Sequence, residues 1–349
     1  MATIYGKIKY YTPSGFGDYI DADDGVTNGN DVIFGTALKD TIYGLGGNDV
    51  LKGGGGADKL YGGADIDTAA YGDSTEGVQV SLDLGKGSGG TASGDTLYEI
   101  ENLSGSSYDD TLQGDENANS LYGEGGNDVL KGGGGADKLF GGAGDDDLHS
   151  DGIGDFIDGG TGIDDSVDFG DAQSSVYVDL GMGRYNLGLS YKPVAPGTPD
   201  NIVGIENVYG SNTHDHIAGN NADNYLAGRG GIDHLFGRGG NDTIDGGADT
   251  DWIYGGAGDD FLTGGTGNDN FMFDTDINGS VSIGHDTITD FTDGDVIKIG
   301  EGIFSDFDDL QDHMQQVGND VVITYDDGNS ITLQNTNIGS LNANDFLFY

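Results

Sequence analysis

Aspartates recur every nine residues along three stretches of this chain. The first runs Asp31, Asp40, Asp49, Asp58, Asp67; the second runs Asp110, Asn119, Asp128, Asp137, Asp146, Asp155, Asp164; the third runs Asp215, Asn224, Asp233, Asp242, Asp251, Asp260, Asp269. Glycines cluster in the five residues before most of these positions, and an apolar residue stands two residues after nearly all of them, as Leu130 follows Asp128 and Ile253 follows Asp251. At Asp164 the residue two further on is Ser166, which reads as the second run coming to its end. Carboxylates at a fixed interval, set among glycines that leave backbone carbonyls accessible, are hard oxygen donors. Their chemistry is the capture of cations.

The unit is Gly-Gly-x-Gly-x-Asp-x-apolar-x. Six residues make a turn in which glycine supplies positive φ, and three make a short strand with one inward side chain. Two units close a coil of eighteen residues, so same-side turns stack at about the 4.8 Å strand spacing, and each stacked pair forms a cage of carbonyls and carboxylates. Several neutral oxygens in a flexible cage suit calcium; magnesium demands a tighter octahedron and zinc favours His or Cys. All nineteen positions named above are candidate ligands. The full glycine signature precedes Asp58, Asp137, Asp146, Asp164, Asp260 and Asp269, which are the strongest. The turn before Asp155, Ser150-Asp151-Gly152-Ile153, lacks the motif glycines, so its row is expected to be weakened there and the opposite row, through Asp128, Asp146 and Asp164, better filled. The stacked pairs give roughly a dozen calcium ions.

The composition agrees. Asp plus Glu number 61 against 13 Lys plus Arg, a formal charge of −48, and 69 of 349 residues are glycine. Such a chain repels itself when compact and would read as disordered, were it not for apolar residues in fixed register, which imply a core. The acidity disfavours nucleic acid and anionic membranes as partners. There is no cysteine, hence no disulfide and no thiolate site. No stretch has the length of a membrane span, and the N-terminus lacks the apolar run of a cleaved signal.

In order, residues 1–28 read as an N-terminal cap, 29–72 as the first block, 73–108 as an insert, 109–170 as the second block, 171–213 as a further insert, 214–273 as the third block, and 274–349 as a C-terminal cap. The inserts correspond: each has an alternating strand, a loop, and then Ile100-Glu101-Asn102 or Ile205-Glu206-Asn207. Gly46 to Gly63 and Gly125 to Gly142 differ only at Tyr61 against Phe140, a mark of duplication. In the cap, DTITDFTDGDVIKI reads as strands turning at Asp293-Gly294. Phe307, Leu310, Met314 and Val317 lie at helical spacing after Ser305, residues 320–333 read as a hairpin around Asp327-Gly328, and NANDFLFY reads as an exposed tail.

These nonapeptides resemble the RTX (repeats-in-toxin) proteins of Gram-negative bacteria, whose glycine-rich repeat is a known signature of a calcium-binding parallel β-helix. The C-terminal FMFD, DTITDFTDGDVIKI and DFLFY segments resemble the capping region of serralysin-type members. The resemblance implies an all-β fold: a parallel β-roll in three blocks with a small β-rich C-terminal cap containing one helix. It also implies folding induced by calcium and type I secretion directed by an uncleaved C-terminal signal. The serralysin His-Glu-x-x-His and the lipase Gly-x-Ser-x-Gly are absent, so the chain is expected to be a secreted, non-enzymatic calcium-binding protein of a surface layer, matrix or adhesive contact. The alternative is a glycan-binding or accessory module of a secreted polysaccharide-modifying system. The partners implied are calcium, a second copy of the chain, cell-surface or extracellular polysaccharide, and the type I secretion apparatus. His214 and His216 read as residues of an exposed turn, Trp252 as an outward side chain, the Pro-containing loop 191–200 as a connector, and Thr161 and Thr266 as isolated.

Overall fold

The structure is a computed structural model. It describes residues 8–9, 19–20, 27–151, 154–187, 202–274, 283–300, 302–326 and 328–349. Most of the N-terminal cap, loop 191–200, Gly152, Ile153 and Asp327 therefore lie outside the described residues. The chain divides into two units, Met1–Val167 with Val203–Ile205, and Asp168–Ile202 with Glu206–Tyr349.

In the first unit, nonapeptides alternate between two parallel sheets, as an eighteen-residue coil requires. Val32–Phe34, Val50–Lys52 and Thr68–Ala70 stack on one side, with Val32 opposite Val50 and Val50 opposite Thr68. Thr41–Gly46 and Lys59–Ala64 stack on the other, with Ile42 opposite Leu60. The same pattern carries Ser120–Gly125, Lys138–Ala143 and Phe156–Thr161 on one sheet, and Thr111–Gln113, Val129–Lys131 and Asp147–His149 on the other. The apolar residue of each unit points inward: Ile42, Leu51, Leu60, Leu121, Leu130, Leu139, Leu148 and Ile157 are all fully buried. One inward side chain per three-residue strand is enough, because each is sandwiched by its copies in the coils before and after. Ile8–Lys9 and Tyr19–Ile20 pair in parallel with the first strands of the two sheets, so the described part of the N-terminal region extends the coil.

The first insert is only partly an interruption. Thr96–Tyr98 pairs in parallel with Lys59–Ala64, and Asn102–Ser104 bridges Thr68–Ala70 and Ser120–Gly125. Leu97 and Leu103 enter the core at the repeat register. What leaves the coil is the hairpin Gln79–Ser81 with Lys86–Ser88, whose first strand still pairs in parallel with Thr111–Gln113.

The second unit repeats this plan. Asn207–Tyr209, Tyr225–Gly230, Thr243–Ala248 and Phe261–Thr266 form one parallel stack. Val176–Asp179, His216–Ala218, His234–Gly239, Trp252–Ala257 and Asn270–Phe273 form the other. The correspondence of the inserts holds: Asn102 and Asn207 each accept a hydrogen bond from the backbone eighteen residues on, at Ser120 and Tyr225.

The C-terminal part has the two expected strands, with the turn at Asp293-Gly294 between them, and departs from expectation in two ways. His285–Ile288 and Val296–Ile299 extend the two sheets in parallel, with Ile288 opposite Leu262 and Ile297 opposite Phe271. The helix is only Phe307–Gln311, capped by Asp306, whose carboxylate accepts from Asp309 N; Met314–Val317 is a strand antiparallel to Asp320–Asp326. A five-residue helix is marginal by itself, and the β-rich neighbour captures the segment that follows. The tail is not free: Phe346–Phe348 pairs in parallel with Val296–Ile299, and Phe346 is buried. The expected hairpin forms, with Asp320–Asp326 against Asn329–Leu333.

Leu235 is fully buried between Ile217 and Ile253 in adjacent coils. Leu235→Ala is expected to lower the stability of the calcium-saturated chain by roughly 2–5 kcal/mol, read by denaturant unfolding; a loss below about 0.5 kcal/mol would show that the row is not its core.

Candidate metal centre

The repeat aspartates are placed by one recurring hydrogen bond. The backbone N–H of most of them donates to Oδ1 of the aspartate one coil later: Asp40 to Asp58 at 2.7 Å, Asp128 to Asp146 at 2.8 Å, Asp233 to Asp251 at 2.8 Å. This bond fixes the carboxylate edge-on beneath the preceding turn and buries it; Asp58, Asp67, Asp233, Asp242 and Asp251 are fully shielded from solvent. The other oxygen is left over. Oδ2 of Asp49, Asp58, Asp67, Asp128, Asp137, Asp146, Asp233, Asp242, Asp251, Asp260 and Asp286 is buried without a hydrogen-bond partner among the described residues. A buried carboxylate oxygen with nothing to accept is costly, and here the cost recurs along every row.

The first glycine of the motif explains where that oxygen points. A Cβ on Gly246 would lie 2.5 Å from Asp251 Oδ2 and 2.8 Å from the Gly264 carbonyl oxygen one coil later. Absence of a side chain thus leaves a space flanked by a carboxylate and a carbonyl. Among the described residues no three His, Cys, Asp or Glu side chains converge as a metal cluster, so any cation held here takes backbone carbonyls as well. This neutral-and-anionic oxygen set fits calcium.

Burial drives the protonation behaviour. It pushes the carboxyls of Asp49, Asp58, Asp128, Asp137, Asp242 and Asp251 up to about 7. Asp67, Asp95, Asp146, Asp260 and Asp269 rise to about 6, Asp233 to about 8, and Asp286 to about 9. The backbone hydrogen bond opposes this, and at Asp233 the like charges of Asp215 and Asp251 add to it.

Not every predicted ligand faces such a space. Where a hydroxyl residue replaces the second glycine, it closes the turn. Thr27 and Thr36 donate backbone N–H and hydroxyl to Oδ2 of Asp31 and Asp40. Ser106 and Ser211 do the same for the carboxylates of Asp110 and Asp215, and Ser150, which stands at the first glycine position, donates its hydroxyl to Asp155 Oδ2. Asn119 and Asn224 are tied locally: Oδ1 accepts from Asp115 N and Asn220 N, while Nδ2, which has no lone pair to offer, donates to Glu101 O and Glu206 O. Asp164 is a correction. It is exposed, and Asp165 takes the buried position, accepting from Asp146 N, with Val167 as the inward residue. The turn carries one extra residue, and the chain shifts register so that Val167 rather than Ser166 fills the core.

Four positions escaped the nine-residue count. Asp95 Oδ1 accepts from Asp58 N and its Oδ2 is buried without a hydrogen-bond partner among the described residues, and a Glu101 carboxylate oxygen accepts from Asp67 N. Asp286 and Asp295 accept from Asp260 N and Asp269 N. Each precedes by two an inward apolar residue (Leu97, Leu103, Ile288, Ile297), and that pairing was the available signal. The histidines separate: exposed His214 accepts from Ile232 N through Nδ1, while His216 lies in a strand, stacked on Tyr177 at 4.7 Å.

The fold and its rows of buried carboxylates define a calcium-binding parallel β-roll. The family model for the RTX calcium-binding nonapeptide repeat matches residues 26–51, 34–69, 99–130, 122–152, 203–235 and 236–271. The chain carries RTX-type nonapeptide repeats, and such repeats bind calcium. The matches starting at 99 and 203 take in Glu101 and Glu206, as the coil does. RTX repeat proteins are typically secreted. No curated protein matches the chain. Among solved structures it is similar to the extracellular lipase LipA from Serratia marcescens, at 19% identity, over 70% of this chain and 39% of that one, with a TM-score of 0.26. At that score the likeness carries no argument, and the chain spans well under half of that protein.

The sign of the pH effect follows from the raised carboxyls. A group whose folded-state pKa lies above its unfolded value stabilises the fold below about pH 4 and loses that contribution as pH rises through the folded value, here about 6 to 9. The chelated chain is therefore expected to gain β-type circular dichroism on acidification from pH 8 to about 4, and millimolar calcium to restore it at pH 8. A chelated chain equally folded at pH 8 and pH 4 would contradict this.

Proposed function

We propose that this protein is a secreted, non-enzymatic component of a surface layer, matrix or adhesive contact, whose folding is switched on by calcium outside the cell. In low calcium the buried carboxylates repel and the chain stays extended enough to be threaded through a type I apparatus, addressed by its C-terminal region. Outside, binding free energy becomes folding free energy. The observation that carries the reading is the content of the scaffold: in each unit most described strands belong to the repeat stacks or extend them, as Ile8–Lys9 does in the first and Phe346–Phe348 in the second. The sequence holds neither the protease nor the lipase motif named above. Among the described residues no helix is long and apolar enough to cross a membrane.

The outward aromatics favour a scaffold over a sugar platform. Tyr43, Tyr61 and Tyr98 stack at 4.7 and 4.5 Å, and Tyr122 stacks on Phe140 at 4.9 Å. Trp252 has His234 stacked at 5.6 Å, and Lys298 Nζ lies 3.5 Å from its ring centre. Sugars stack on ring faces, and the faces of Tyr61 and Trp252 are occupied by their neighbours. Calorimetric titration of the calcium-loaded chain with alginate and other acidic polysaccharides is expected to show no saturable binding, and fractionation in calcium to place the protein with the cell surface or matrix. Micromolar saturable binding to one polysaccharide would replace this reading with the glycan-binding one.

A further inference from the structure

In the second unit, two arginines stand where the repeat calls for glycine. Arg229 and Arg238 hold the second position of the turns leading to Asp233 and Asp242, with φ of +76° and +80°, a left-handed conformation that disfavours any side chain. Both use it alike. Arg229 Nη1 donates to the Gly210 carbonyl at 2.9 Å and to Asp168 Oδ1 at 2.6 Å, while Nη2 donates to Asp168 Oδ2 at 2.7 Å. Arg238 Nη1 donates to the Gly219 carbonyl at 2.8 Å, and its two nitrogens grip Asp179 at 2.7 and 2.8 Å.

Those carbonyls belong to the first glycines of their turns, the atoms that elsewhere face a repeat carboxylate of the preceding coil. Before Gly210 that carboxylate is missing: Val176 holds the position, as its N–H bond to Asp215 Oδ1 shows. Room has been made for the guanidinium, since a Cβ on Gly170 or Gly181 would collide with Arg229 Nη1 or Arg238 Nη1. The coil itself does not require a positive charge there. The equivalent residues of the second block are Glu124, also at φ +76°, and Gly133.

We propose that Arg229 and Arg238 act as fixed internal cations that replace calcium at the first position of both rows in the second unit. A guanidinium held between a carboxylate and a turn carbonyl satisfies the oxygens a metal would otherwise take, so this end of the unit is closed without calcium. The opposite end is closed by an anion: Asp290 accepts from Gly264 N at 2.9 Å and Gly265 N at 2.8 Å. The inference rests on calcium occupying the intervening cages, which the wild-type count tests separately.

Bound calcium would be counted by equilibrium dialysis of the full chain, with folding checked by circular dichroism. Arg229→Gly and Arg238→Gly each free a carboxylate and a carbonyl, so each is expected to bind one calcium more than wild type, and the double variant two more. Asp168→Asn with Asp179→Asn keeps both guanidiniums and is expected to match wild type. Glycine variants with an unchanged or lower count, or a double glycine variant that does not fold in saturating calcium, would overturn the proposal. A gain in the asparagine variant would also overturn it. A wild-type chain that binds no calcium would instead overturn the reading of the repeats.

Discussion

The structure depends on a carboxylate used by halves. One oxygen of a repeat aspartate is tied to the backbone of the coil before it, which sets the vertical register; at the open turns the other is buried and left facing a carbonyl. The first half is a structural hydrogen bond of an ordinary kind. The second makes the folded chain an unfinished object, because an anionic oxygen away from water and without a donor is strongly destabilising. Stacking such groups a strand spacing apart compounds the cost. The fold can be completed by protons or by a cation, and the sequence is arranged so that a cation completes it near neutral pH.

Glycine is the other side of the same constraint. At the first motif position it leaves the space that a Cβ would fill between carboxylate and carbonyl, as at Gly246; at the second it permits positive φ, as at Gly247 with φ +105°. Where the second glycine is replaced by Thr36, Ser106 or Ser211, the turn donates its own N–H and hydroxyl and the aspartate is satisfied locally. These closed turns stand early in each block, so rows of open cages begin against a self-sufficient coil. A stack of repeats needs such ends for the same reason that any repeat array needs caps.

The fold was largely legible in the sequence, because period and inward residue are both local: Asp-x-apolar at nine-residue spacing fixes alternation, coil length and core. The glycine pattern was a poorer guide to where the coil stops. Asp95, Asp286 and Asp295 sit in the rows although no glycine motif precedes them, and Asp286 to Asp295 is itself a nine-residue step hidden after a break in register. Asp164 was misplaced because counting cannot see a one-residue bulge; packing of Val167 decided it. Helical spacing of Met314 and Val317 yielded to an available antiparallel partner. Which aspartates face open cages was not legible, since that turns on whether a neighbouring Ser, Thr or backbone N–H reaches Oδ2.

The central claim is that the unpartnered Oδ2 atoms are the calcium ligands. Anomalous diffraction from crystals grown in calcium tests it directly. The account predicts peaks in rows beside Asp49, Asp58, Asp128, Asp137, Asp233, Asp242 and Asp251, with none at Asn119 or Asn224, where an amide nitrogen that donates to a carbonyl stands in place of the unpartnered anionic oxygen. Calcium-grown crystals with those aspartates protonated or hydrated and no anomalous peak beside them, or with peaks as strong at the two asparagines, would contradict it.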